Sequence, residues 1–107
     1  MNILEKIFGK KQSFFRIKEI NELPVSLDVK VIYVVKEDNQ KLHAALKCPC
    51  GCEQIIFLNL LKDAEPYWKI KKGKKNIATI SPSVWRISGC KSHFFIRNGK
   101  VVWEKEY

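Results

Sequence analysis

Cys48-Pro49-Cys50-Gly51-Cys52 is the stretch that decides the fold, because the one remaining cysteine, Cys90, lies far downstream in Gly89-Cys90-Lys91-Ser92-His93. Soft thiolates and imidazole gathered in two turn-shaped clusters are the ligands a tetrahedral zinc ion takes. Disulfides are the competing use of four cysteines. Cys-x-Cys-x-Cys is poorly spaced for local ones, whose Cα atoms must lie roughly 4.4–6.8 Å apart with matching side-chain directions. The pattern therefore predicts a zinc site that ties residue 90 to residues 48–52 and closes a small β domain.

Working outward, Leu42 to Leu46 and Gln54 to Leu60 are apolar runs on either side of the cluster and predict a hairpin with the metal ligands at its tip. Val29 to Lys36 is rich in β-branched and aromatic residues with apolar side chains on both faces, as a central strand requires. Phe14 to Lys18 alternates and predicts a first strand, followed by a turn at Asn21-Glu22-Leu23-Pro24. Tyr67 to Ile70 and Asn76 to Ile80 predict two more strands, joined across the tip Lys71-Lys72-Gly73-Lys74-Lys75. Ser83 to Ile87, bracketed by Pro82 and Gly89, reads as a loop leading back to the metal. His93 to Arg97 and Lys100 to Glu104 form a closing hairpin, with Asn98-Gly99 the dipeptide favoured in tight two-residue turns. Near the start, Ile3, Leu4, Ile7 and Phe8 at helical spacing predict a short amphipathic helix ending at Gly9. The fold class is thus mainly β: a small, single-domain antiparallel fold of roughly seven to nine strands over residues 1–107, closed by a structural zinc site, with a short N-terminal helix.

With 107 residues the chain is one domain, small enough that one metal cross-link matters to its stability. The stretch Met1 to Lys11 is too short and too charged for a secretory leader, and no apolar run has membrane-spanning length. A cytoplasmic protein is expected, in a compartment that keeps thiols reduced. Lys and Arg number 20 against 11 Asp and Glu, a net charge of +9, which attracts nucleic acid, anionic membranes or an acidic protein partner. The run Lys69 to Lys75 reads first as a solvated hairpin tip, and only weak, non-specific nucleic-acid binding is expected of it.

Five residues compete for four metal positions: Cys48, Cys50, Cys52, Cys90 and His93. Either one cysteine is spare or the histidine is free for other work. Ser83, in the turn Ser81-Pro82-Ser83, is close enough in the chain to His93 for hydroxyl and imidazole to meet, although serines in such turns commonly bond their own backbone. Ser92 is a weaker candidate, because on a strand it points to the face opposite His93. Trp68, Trp103, Tyr67, Phe94 and Phe95 read as core, Trp85 as the lining of a cleft, and His43 as a surface or satisfied core histidine. The sequence contains no Gly-rich phosphate loop, paired-carboxylate motif or His-Glu-x-x-His signature.

Cys48-Pro49-Cys50-Gly51-Cys52, Ile56 to Leu60, Ser81-Pro82-Ser83-Val84-Trp85-Arg86, Gly89-Cys90-Lys91-Ser92-His93-Phe94-Phe95-Ile96, Gly99 and Trp103 together resemble a family of small bacterial zinc-binding proteins long described as a domain of unknown function. Some members are encoded in Bub-type ubiquitin-like conjugation (antiphage) operons, as proposed peptidases. The resemblance runs from about Val29 to Trp103. It implies a hydrolase that processes a ubiquitin-like protein or removes it from its conjugates, with Ser83 and His93 as the matching serine and histidine. The metal then falls to Cys48, Cys50, Cys52 and Cys90. Glu53 departs from the family, which more often has glycine there, and alters the turn beside the metal without removing a ligand.

Two readings follow. One is a serine-type peptidase in which His93 takes the proton from Ser83 and zinc is structural. The other is a non-catalytic zinc-ribbon-like module that docks a protein or nucleic acid through its basic face. A third version, a catalytic metal with an open water position, runs against the closed character of thiolate-rich sites.

Overall fold

The computed structural model describes residues 14–86 and 88–104. The helix expected over Met1 to Gly9 lies outside the described residues. Eight strands follow in order: β1 (Arg16–Ile20), β2 (Val31–Glu37), β3 (Gln40–Lys47), β4 (Ile55–Asn59), β5 (Lys69–Lys72), β6 (Ala78–Trp85), β7 (His93–Arg97) and β8 (Lys100–Trp103). They form two four-stranded sheets, ordered β1-β2-β3-β4 and β5-β6-β7-β8. The mainly β expectation holds, and all pairs but one are antiparallel; β1 runs parallel to β2. That strand begins two residues later than the alternation Phe14 to Lys18 suggests, because Phe15 is drawn into the core.

Val31–Glu37 forms an inner strand for the reason its composition gives. Ile32 and Val34 point into the core shared by both sheets, while Tyr33 points outward under Leu23 and Leu27 of the preceding loop. Apolar residues on both faces are thereby covered, and Tyr33 Oη accepts a hydrogen bond from the Asp28 N–H at 3.0 Å. The shared core joins Phe15, Ile32, Leu46 and Leu58 of the first sheet region to Ile80, Val84, Phe94 and Ile96 of the second. Burying each of these side chains stabilises the fold by about 1.5–3 kcal/mol.

Among the described residues, hydrogen bonds to main-chain carbonyls stitch the sheets at two points. At one, Phe15 N–H donates to Gly99 O (2.8 Å) and Phe15 O accepts from Ala78 N–H (3.1 Å). Asn98 and Gly99 have φ of 49° and 79°, the two left-handed residues of a tight hairpin turn. A Cβ on Gly99 would come within 3.0 Å of Ile77 Cγ2, so close packing as well as conformation requires glycine there. At the other, Trp68 N–H donates to Asn59 O (2.8 Å) and the indole Nε1–H to Ser83 O (3.1 Å). The lysine-rich tip is exposed, turning through a 3-10 segment at Lys74–Asn76.

Two expectations are corrected. Ser83 to Trp85 belong to β6 rather than to a loop, because an irregularity between Ile80 and Val84 returns the strand to register with β7. Ile80 pairs with Ile96 and Val84 with Phe94, so three residues of β6 stand against one of β7. Pro82 cannot donate to a ladder, and it sits within that bulge. Trp103, expected in the core, is half exposed, because it lies on an edge strand where its ring covers Phe94 edge-on.

Candidate active site and metal centre

The four cysteines converge as the sequence pattern requires. Their Sγ atoms all lie within 4.8 Å of one another, with Cys48 to Cys50 at 3.4 Å and Cys48 to Cys90 at 3.7 Å. Sulfurs about 2.3 Å from a central ion in a tetrahedron are separated by about 3.8 Å, so the cluster fits a metal ion. Antiparallel β3 and β4 deliver the first three thiols at their hairpin tip. Turns with left-handed residues aim them: φ is +93° at Gly51 and +67° at Glu53 in one loop, +71° at Gly89 and +55° at Lys91 in the other. Gly51 N–H closes its turn onto Cys48 O at 3.2 Å.

Cys48 is buried, and desolvation, with hydrogen bonding to Cys50 and Cys90, pushes its thiol up to about 12. Cys90 is held down at about 6, chiefly by the side-chain and backbone hydrogen bonds of Ser92, and Cys50 is lowered for the same leading reason, the Ser92 hydroxyl. Ser92 Oγ lies 3.2 Å from Cys90 Sγ and 3.8 Å from Cys48 Sγ. Sequence reasoning put Ser92 on the face away from His93, and that is the face of the sulfurs, yet it did not identify this role. It also missed Arg86. Nη1 of Arg86 is 4.0 Å from Cys90 Sγ and Nη2 donates to Gln54 Oε1 at 3.0 Å, setting a cation beside the sulfur cluster and linking its two halves. The adjacent Ser-Val-Trp-Arg and Cys-Lys-Ser-His segments carry a signal in hindsight: Arg86 N–H pairs with Ser92 O at 2.7 Å.

The group of four sulfurs contains no imidazole nitrogen. His93 instead faces Ser83, with Ser83 Oγ 2.9 Å from His93 Nε2. This distance permits Oγ–H to donate to Nε2 in the Nδ1–H tautomer. Both residues are half-buried. His93 opens β7 directly opposite Trp85 of β6, and the two rings stack at 5.0 Å with a 15° interplanar angle. Phe95, two residues along the same face, lies 6.2 Å from the imidazole and carries Arg97 over its own ring. The imidazole is therefore fixed by aromatic packing, and the β6 bulge sets Ser83 against it. His43 sits apart from this site, edge-on to Phe57.

A hydroxyl in contact with a histidine, on strands flanking a thiolate cluster, is an arrangement a serine hydrolase can use. The family model described as bacterial ubiquitination-like system serine protease (BubE) matches residues 19–104. The chain belongs to that family. The match starts at Glu19, earlier than the Val29 from which the sequence motifs could be followed, and reaches back into the end of β1. Comparison with curated proteins and with solved structures gives no match. Among the described residues no helix is long and apolar enough to cross a membrane.

Proposed function

We propose that this BubE-family chain is a serine-type peptidase that cleaves at the C-terminus of a ubiquitin-like protein, either in processing it or in removing it from conjugates, with zinc as a structural ion. The observation that carries the reading is the 2.9 Å contact between Ser83 Oγ and His93 Nε2 in a chain of a serine protease family. Four thiolates saturate a tetrahedral ion, so the imidazole is free to act as a base, and an all-sulfur, closed set suits structural zinc. When bound, the zinc supplies a cross-link between the β3–β4 tip and the segment that leads into His93.

Ser83 Oγ attacks the scissile carbonyl carbon as its proton passes to His93 Nε2. The carbonyl oxygen becomes an oxyanion, which backbone N–H donors beside Ser83 stabilise. Collapse expels the amine, which leaves with the proton from His93, and the acyl group stays on Ser83 as an ester. Water then gives a proton to His93 and attacks the ester carbon. Ser83 Oγ departs and regains that proton, and a free carboxylate is released.

Ser83→Ala and His93→Ala each reduce hydrolysis of a ubiquitin-like substrate to background while zinc content and circular dichroism stay unchanged. The double variant is little worse than either single one, because the residues act as a unit. Loss of zinc and unfolding in His93→Ala would identify the histidine as a ligand and end the serine–histidine mechanism.

A further inference from the structure

Two strand edges without a strand partner among the described residues face one groove beside Ser83. In the first sheet β4 is the last strand. Cys48 N–H donates to Gln54 O at 2.9 Å and Leu60 N–H to Leu42 O at 3.1 Å, which makes 48/54 and 42/60 hydrogen-bonded pairs of the β3–β4 ladder. Hydrogen-bonded and non-hydrogen-bonded pairs alternate along an antiparallel ladder. Ile56 and Leu58 therefore spend their backbone groups on β3, while Ile55, Phe57 and Asn59 turn theirs away from it. Asn59 shows the direction, since its outward carbonyl accepts from Trp68 N–H.

The opposite wall follows the same rule. Arg86 N–H bonds Ser92 O, so Arg86 and Val84 pair with β7, and Trp85 and Ser83 direct their backbone groups the other way. Strand β5 covers β6 only from Ala78 to Ser81, which leaves Trp85 uncovered. Between the walls lies a groove of about 370 Å³, to whose lining Trp68 and Arg86 also contribute. Phe57 and Trp85, 61% and 59% exposed, flank its mouth. Of the lining residues, Val84 and Trp85 follow the serine directly in the chain and Trp68 holds the serine's carbonyl, so the groove adjoins Ser83.

We infer that this groove takes the extended tail of the substrate as an added strand, hydrogen-bonded to the outward backbone groups of Ile55 and Phe57 on one side and Trp85 on the other, with the Phe57 and Trp85 rings gripping its side chains. An extended segment satisfies unpaired edge groups that a globular surface cannot reach, and a peptide bond must in any case be drawn out straight to meet Ser83. The inference rests on the peptidase reading above.

The test is residue-resolved amide exchange of Ser83→Ala, alone and with an uncleaved ubiquitin-like protein carrying a C-terminal extension, beside wild-type cleavage of that same protein. The expected result is at least tenfold slower exchange at the Ile55, Phe57 and Trp85 amides on binding, with little change at Ile56 and Leu58. Phe57→Pro, which deletes one outward N–H and leaves the β3 bonds in place, should raise KM at least about tenfold. Wild-type cleavage without slowed exchange at those amides overturns this inference and leaves the peptidase standing. Absence of both cleavage and binding overturns both. Exchange at those amides that slows with protein concentration, without substrate, assigns the edge to a second copy of this chain and also overturns it.

Discussion

The cysteine cluster and the Ser83–His93 pair sit on adjoining stretches of chain but are built from different materials. The cluster hangs on turns, with left-handed backbone at Gly51, Glu53, Gly89 and Lys91, and its ligands come from segments about forty residues apart whose mutual approach has no strand ladder of its own. The serine and histidine stand on neighbouring strands of one sheet, over the buried Val84–Phe94 pair, and are held by ladder bonds and a stacked tryptophan. The difference teaches where each kind of damage should appear. Loosening the cluster should cost fold, whereas deleting the pair should leave the fold in place.

The largest expected effect breaks this comparison if it fails. A structural zinc contributes on the order of 10 kcal/mol to folding, comparable to the whole stability of a small domain. A strong chelator, or Cys90→Ser, should therefore abolish cooperative thermal unfolding, while Ser83→Ala should shift the midpoint by no more than a few degrees. Elemental analysis should find close to one zinc per chain. Equal melting of Cys90→Ser and Ser83→Ala would show that the cluster does not hold the domain together.

A middle-sized effect sharpens it. Ser92 belongs to both regions, as it precedes His93 in the chain while its hydroxyl contacts the sulfurs. Ser92→Ala removes the leading cause of the low Cys90 value, so the thiol rises toward its usual range. A metal ion must then displace a more tightly held proton at neutral pH. Zinc affinity should fall about tenfold or more, as for other lost partners of metal ligands, and the deficit should widen as pH drops from about 8.5 toward 6. Competition titrations with a chromophoric chelator at several pH values measure this. An affinity equal to wild type across that range would remove Ser92 from the metal site.

The pattern of what the sequence made legible follows the same division. Alternation and β-branched runs locate all eight strands, with β1 starting two residues early and β6 cut short at Ile80, because a side chain's burial on a strand is written in its own residue type, and the thiol set needs only spacing. Ser83 to Trp85 was misread as loop because Pro82 interrupts the alternation, and a bulge leaves the same mark as a strand's end. The parallel pairing of β1 depends on how residues 21–30 cross the sheet, which no local pattern encodes. Ser92 and Arg86 are ordinary polar residues whose roles arise only when 54, 86, 90 and 92 meet.

The smallest expected effect lies within the cluster's own turn. Glu53 has φ of +67°, in the region where a Cβ is crowded and glycine is free. Relief of that crowding by Glu53→Gly should exceed the entropy added to the unfolded chain and stabilise the zinc-bound protein by about 0.5–1 kcal/mol. A second contribution has the same sign, since four thiolates around a divalent ion carry a net negative charge that a neighbouring carboxylate opposes. Glu53→Gln separates the two, for it removes the charge and keeps the Cβ. If backbone strain dominates, the glutamine variant melts with wild type and the glycine variant melts a few degrees higher in the same scan. Equal gains from both would assign the effect to charge and leave the left-handed turn without a measurable cost.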